Sequence, residues 1–333
     1  MNQTAAHLAE TAIEMASAYQ TLATPNPFHS LDGKAPWWVS TDPEDFYAVP
    51  KAAPRLSFYH RWHGPLRTRS RFTFPSIDRS PYPENNTVYG LASLAPEGKS
   101  RAALVVVHGH RMSNFTMLEW FAIPAARHGL DMYYITLPMH MQRAPKGTWS
   151  GQLHLNSNVE GTALAFRQGV RDVRSLISWI EQERGTPVGL VGMSLGAFTC
   201  SMTSVVDARP KALASILGGA SLAQIIWDGY EMGRPRSQLI AGGVSRARLE
   251  QYWAILGPGY WKPRLRKDQI MLIEGKFDPI VTPENARKLW RAWDKPSIYW
   301  YPSGHGTIAL YYREVVGAIV RFLKPHLFQS ADF

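Results

Sequence analysis

Val188-Gly189-Leu190-Val191-Gly192-Met193-Ser194-Leu195-Gly196 decides how this chain folds: an apolar run feeds into a Gly-x-Ser-x-Gly string, and a second apolar stretch, Leu195 to Val206, follows it. The pattern reads as strand, sharp turn and helix, with a serine at the apex. Glycines stand two residues before and two after Ser194 because strand and helix approach so closely in such a turn that side chains there would collide. The serine then sits in a strained conformation, its hydroxyl exposed above the sheet. The string alone arises in ordinary loops, and only the strand before it and the helix after it give it meaning.

A serine hydroxyl is a poor nucleophile until an imidazole takes its proton, and the imidazole needs a carboxylate to fix its tautomer. Both groups come later in the chain. Gln269 to Glu274 reads as a buried strand, and the turn-rich loop Gly275 to Pro283 carries Asp278 ahead of a helical stretch, Glu284 to Trp293. Ser297 to Tyr301 alternates like a strand and gives way to Pro302-Ser303-Gly304-His305-Gly306-Thr307, a small-residue loop before a helix from Ile308 to Leu323. The order Ser194, Asp278, His305, each just past a strand, fits a nucleophile, an orienting acid and a general base. Glu274 is a weaker candidate for the acid because it lies within the strand, and Asp228 because it lies in a segment read as a cap. Taken singly, Asp278 starts a turn and His305 is a loop histidine; the three in order carry the triad.

A tetrahedral intermediate needs backbone donors aimed at its oxygen, one from the residue after the nucleophile and one from the loop after an earlier strand. Leu195 supplies the first. Ala102 to Val107 is the most strand-like run and ends in His108-Gly109-His110-Arg111, so the amide of His110 is the second. His108 and His110 alternate on a strand end and point to opposite sides, with no cysteine or carboxylate cluster beside them, so no metal site is expected.

With these pieces in place the chain resembles the alpha/beta-hydrolase superfamily over about residues 85 to 325. The matching motifs are His108-Gly109-His110, Gly192-Met193-Ser194-Leu195-Gly196, Gly275-Lys276-Phe277-Asp278 with Val281-Thr282-Pro283, and Gly304-His305-Gly306. Leu137 to Arg143 and the helix before the elbow are similar, more loosely, to a bacterial branch related to the abhydrolase-domain 18 proteins. The resemblance implies an α/β fold with a mostly parallel eight-stranded sheet, helices on both faces, a helical cap and no organic cofactor. Serine at the elbow argues against the dehalogenase and epoxide-hydrolase branches, which place aspartate there. Substrate is left open, because one fold and one triad serve esterases, lipases, thioesterases, peptidases and acyltransferases.

At 333 residues the chain has room for one large catalytic domain with additions. Its single cysteine excludes an internal disulfide, and Cys200 falls in the apolar helix after the elbow, where a buried inert thiol is expected. Met1 to Ala23 holds Glu10 and Glu14, lacks Lys and Arg, and has no continuous apolar core, so no signal peptide is read there. No run approaches the roughly 20 apolar residues of a spanning helix. The expectation is a cytoplasmic protein. The net charge of +10 gathers in two segments, Lys51 to Arg79 and Arg234 to Lys267. Neither matches a nucleic-acid module, so they are read as solvated or locally paired faces, with weak peripheral membrane attraction as the lesser reading.

Residues 4 to 22 read as a short amphipathic helix, followed by a proline-broken, aromatic-rich wrap to residue 66. The catalytic core is expected over 67–220 and 268–328, with antiparallel strands at 69–74 and 87–94. Strands at 101–107, 131–136, 187–192 and 213–218 then alternate with helices at 116–128, 159–183 and 195–208, the pattern of a parallel sheet. Residues 221–267 form the cap. Its aromatics, Trp227 and Trp253 foremost, are expected to line an apolar substrate pocket together with Met193 and Arg111. Met112 and Met117 read as well as core filler. The function expected is a serine carboxylic-ester hydrolase for small to medium apolar esters, working through an acyl-enzyme. An acyltransferase, thioesterase or amidase with the same triad, a non-catalytic binding member of the fold, and a peripheral membrane protein stay open, as does homo-oligomerisation.

Overall fold

A computed structural model describes residues 35–328, so the helix read at residues 4–22 lies outside the described residues. Strands β1 Ser57–His63, β2 Thr68–Pro75, β3 Thr87–Leu94, β4 Ala102–Val107, β5 Leu130–Ile135, β6 Val188–Met193, β7 Ala212–Ile216, β8 Ile270–Gly275 and β9 Ser297–Tyr301 form one sheet. Its order is β1-β2-β3-β5-β4-β6-β7-β8-β9. The pairs from β1 to β5 along this order are antiparallel, and those from β5 to β9 are parallel.

The sheet therefore has nine strands among the described residues, one more than expected. The addition is β1, in the segment read as irregular wrap. Its sequence, Ser-Phe-Tyr-His-Arg-Trp-His, has no buried alternation because it is an edge strand, half-buried or exposed throughout, with an irregular register between Tyr59 and Trp62.

Central strands are apolar at nearly every position because both faces are covered. Along β4, Ala103, Val105 and Val107 enter one core while Ala102, Leu104 and Val106 enter the other. The first face is covered by α4 Val159–Trp179 and α5 Leu195–Val206. The second is covered by α2 Thr116–Glu119, α3 Ala122–Arg127 and α10 Tyr312–Leu327. α4 begins where the Asn158 side chain accepts the Gly161 N–H at 2.8 Å, and Val159, Ala163, Phe166, Val170, Val173 and Ile177 form its buried stripe.

The helix expected over 116–128 is two short ones. Pro124 explains the break: in a continuous helix its ring would collide with the carbonyl four residues back, whereas in the first turn of α3 its missing N–H costs nothing. The remaining helices are α1 Pro43–Phe46, α6 Leu222–Asp228, α7 Gly233–Ala241, α8 Arg246–Tyr252 and α9 Pro283–Ala292. Helices α6 to α8 and several 3-10 turns make up the insertion between β7 and β8. The segment before β1 clamps it: Trp38 Nε1–H donates to Tyr252 O at 2.8 Å and Tyr47 O–H to Ile255 O at 2.9 Å. In the two basic segments, Arg67 and Arg69 meet Glu119, Arg246 meets Asp228, and Arg266 meets Asp268. Among the described residues no helix is long and apolar enough to cross a membrane.

Candidate active site

Ser194 stands between β6 and α5 with φ 53° and ψ −117°, a left-handed conformation that a side-chain-bearing residue adopts only under constraint. The constraint is the two glycines. A Cβ on Gly192 would fall 2.2 Å from Gly196 O, and one on Gly196 would fall 2.2 Å from Val107 O at the end of β4. Gly196→Ala is accordingly expected to push α5 away from β4 and destabilise the protein by about 3 kcal/mol or more. A chemical denaturation midpoint equal to wild type would contradict this contact.

Two loops bring the other groups to the serine. Asp278 follows β8; its Oδ1 accepts the N–H groups of Ile280 at 2.8 Å and Val281 at 2.9 Å, which leaves Oδ2 to accept His305 Nδ1–H at 2.7 Å. His305 Nε2 accepts the Ser194 hydroxyl at 2.8 Å. The acid and histidine loops are tied to each other: Lys276 N–H donates to Tyr301 O at 2.9 Å and Phe277 N–H to Ser303 O at 3.0 Å. In this arrangement Ser194 can pass its proton to an imidazole whose far nitrogen is held by a buried carboxylate.

The two rival acids lie elsewhere. Asp228 pairs with Arg246 at 2.9 Å in the insertion. Glu274 is buried beneath the site, accepts Gly218 N–H at 3.3 Å, and has its carboxyl held well above its usual range by burial and by the charge of Asp278.

The main chain at Gly109 passes against the elbow, where an added Cβ would lie 3.4 Å from Ser194 Cβ, and His110 lines the cavity above it. Leu195 is the first residue of α5, so its N–H has no intrahelical acceptor. The His110 ring itself faces away, its Nε2–H donating to Gly151 O at 2.9 Å. His108 Nε2 accepts Leu137 N–H at 3.0 Å, so both imidazoles are engaged in holding loops. Among the described residues, no group of three or more His, Cys, Asp or Glu side chains is arranged to hold a metal ion. Cys200 is buried, and burial holds its thiol protonated.

A cavity of about 240 Å³ opens from Ser194 and His305. Its walls come from the segment after β4, with Met112, Met117, Leu118 and Trp120, and from the segment after His305, with Ile308 and Tyr312. Trp120 and Tyr312 face each other at its rim, ring centroids 5.1 Å apart. Among the described residues no charged side chain lines it. Met193 is among the lining residues.

Trp227, Trp253 and Arg111 are not among its lining residues. Trp253 is buried in the other core, its indole N–H donating to Val159 O at 3.1 Å, and Trp227 packs against the same core. Arg111 is turned toward the insertion, where its guanidinium meets Glu231 at 2.8 Å. Aromatics at helical spacing report burial but not which face of the sheet they bury against. Met112 and Met117, by contrast, proved to be wall rather than filler.

The nine-stranded order, the elbow and the two following loops are those of the alpha/beta-hydrolase fold. Within it, residues 92–230 match the family described as alpha/beta hydrolase domain containing 18. An uncharacterised protein of Mycobacterium tuberculosis strain H37Rv is 31% identical over 237 residues, which are 67% of this chain and 54% of that one. The chain thus spans about half the length of that curated relative. Among solved structures, an acetyl xylan esterase from Paenibacillus sp. R4 superposes with a TM-score of 0.63 at 14% identity, covering 93% of this chain and 99% of that one. An acylaminoacyl peptidase of Pyrococcus horikoshii superposes with a TM-score of 0.56 at 13% identity, over 85% of this chain and 43% of that one. At such identities the likeness is one of fold.

Proposed function

We propose that the protein is a serine hydrolase cleaving carboxylic esters of small to medium apolar acyl groups through an acyl-enzyme. The observation that carries this reading is the unbroken hydrogen-bonded line Asp278–His305–Ser194 ending in an uncharged, largely apolar cavity. Ser194 Oγ attacks the ester carbonyl while His305 takes its proton; the same imidazole returns the proton to the leaving alcohol, then activates water to release the acid. Asp278 fixes the tautomer and stabilises the imidazolium. The N–H groups of Leu195 and His110 stabilise the oxyanion. The chemistry requires no cofactor or metal. A small-molecule ester is the partner, with its acyl chain lying between the Met117 and Tyr312 walls.

The test is hydrolysis of p-nitrophenyl esters from acetate to palmitate, with titration of the serine by a fluorophosphonate. We expect kcat/KM to peak at short to medium chains and to fall for palmitate, whose chain outgrows the cavity. Labelling without turnover would redirect the reading to an amide, thioester or acyl-transfer substrate. The absence of both labelling and turnover would overturn it in favour of a binding protein.

A further inference from the structure

The insertion between β7 and β8 contributes no wall to the cavity, yet one of its turns reaches both loops that flank Ser194. In the 3-10 turn Tyr230–Met232, Tyr230 N–H donates to the carbonyl of Pro279, the residue after Asp278, at 3.1 Å. The next residue, Glu231, places its carboxylate 2.8 Å from the guanidinium of Arg111, the residue after His110. Both side chains are largely shielded, at 6% and 15% exposure, so the pair is little screened by solvent. The Trp149 ring lies 5.0 Å from the Arg111 guanidinium carbon. Met232 is buried and anchors the turn in the core. Gly229 cannot carry a side chain, since a Cβ there would fall 2.4 Å from Ile225 O.

Arg111 has φ 64°, a conformation that costs a non-glycine residue free energy and persists only where its surroundings impose it. The Glu231 carboxylate and the Trp149 face are such surroundings. We propose that Glu231 is a positioning residue: through Arg111 it fixes the turn that presents the His110 N–H to the reacting carbonyl, and through Tyr230 the same turn fixes the acid loop. The insertion acts as a brace for the catalytic loops rather than as a substrate lid. This inference rests on the roles given above to Ser194 and His110. Its physical basis is that an oxyanion donor is effective only when it is already aimed where charge develops and need not reorganise during reaction.

The experiment measures kcat and KM on a short p-nitrophenyl ester for wild type, Glu231→Gln, Glu231→Asp, Arg111→Gln and the double variant Arg111→Gln/Glu231→Gln, with a melting curve for each. Glu231→Gln is expected to lower kcat by about tenfold to a hundredfold, with KM held within about twofold because ground-state binding is untouched. Glu231→Asp recovers part of the loss. The double variant is no worse than either single one, because both act through one contact. An unchanged kcat in Glu231→Gln, additive losses in the double variant, or a loss that merely tracks the unfolded fraction would overturn the inference. Turnover that survives Ser194→Ala would overturn the underlying assignment as well, which keeps the two failures apart.

Discussion

Ser194→Ala is expected to lower kcat on p-nitrophenyl butyrate by about 10⁴-fold or more while leaving the fold in place. Alanine keeps the Cβ and loses only the oxygen, so the elbow at φ 53° is no more strained than before and the contacts of Gly192 and Gly196 are unchanged. What goes is the atom that His305 Nε2 faces at 2.8 Å. Without it no acyl-enzyme forms, and the remaining rate comes from water acting in a site that still holds its backbone donors and apolar cavity. KM should change little, because on the proposed reading the acyl group would rest on cavity walls such as Met112, Trp120 and Ile308 rather than on the hydroxyl. The measurement is steady-state hydrolysis beside fluorophosphonate labelling. A variant that turns over within tenfold of wild type, or still takes the label, would remove Ser194 from the mechanism.

The parts of the site legible in the sequence are those whose geometry is local. A glycine two residues either side of a serine, at the junction of a strand and a helix, encodes the close approach measured at Gly192 and Gly196. A carboxylate and a histidine, each just past an apolar strand, land at the same edge of a parallel sheet because all those strands end there. What could not be read is which face of the sheet the cavity opens on. That depends on how helices far apart in sequence cover the two faces, and Trp253 and Trp120 carry no local mark that one is core and the other rim. The edge strand β1 was hidden for a related reason: only β2 beside it, not an alternating pattern, makes Ser57–His63 a strand. The partnership of Arg111 with Glu231 joins two loops remote in sequence, and each looks like a surface charge when read alone.

A second illegible feature bears on stability: lowering the pH from about 7.5 to about 5 is expected to destabilise the fold by several kcal/mol. His108, His110, His140 and His154 come from three separate stretches and pack together, with ring centroids 4.9 Å apart for His108 and His140, 5.5 Å for His110 and His140, and 5.2 Å for His140 and His154. His108, His140 and His154 are buried and His110 is half-buried, and desolvation is the main cause that pushes His108 and His154 down to about 4, His110 to about 3, and His140 well below the ordinary 6.5. Their hydrogen bonds suit neutral rings. Pro138 O accepts the Nδ1–H of both His140 and His154 at 2.8 Å, and His108 Nε2 must stay unprotonated to accept Leu137 N–H.

In the unfolded chain these imidazoles take up protons near pH 6.5, but in the folded one His108 and His154 do so only near pH 4, His110 near pH 3 and His140 well below its ordinary range. The unfolded state therefore binds more protons across that interval, so their contribution is fully present above pH 6.5 and is lost as pH falls. At pH 5 His108 and His154 each cost about 2 kcal/mol, and with His110 and His140 acting in the same direction the sum is large beside the about 5–15 kcal/mol that holds a typical domain. Glu274 runs the other way: its raised carboxyl takes a proton in the folded state first, adding stability as pH falls toward its ordinary range. The carboxyls of Asp131 and Asp172, also raised by burial, run the same way as Glu274; against these three the four imidazoles leave a net loss between pH 6.5 and 5. Thermal midpoints followed by circular dichroism across that range should fall steeply for wild type and less steeply for His154→Gln, which removes one of the four protons. A midpoint that stays level from pH 7.5 to 5 in both proteins would show that the cluster does not remain neutral against solvent as its burial requires.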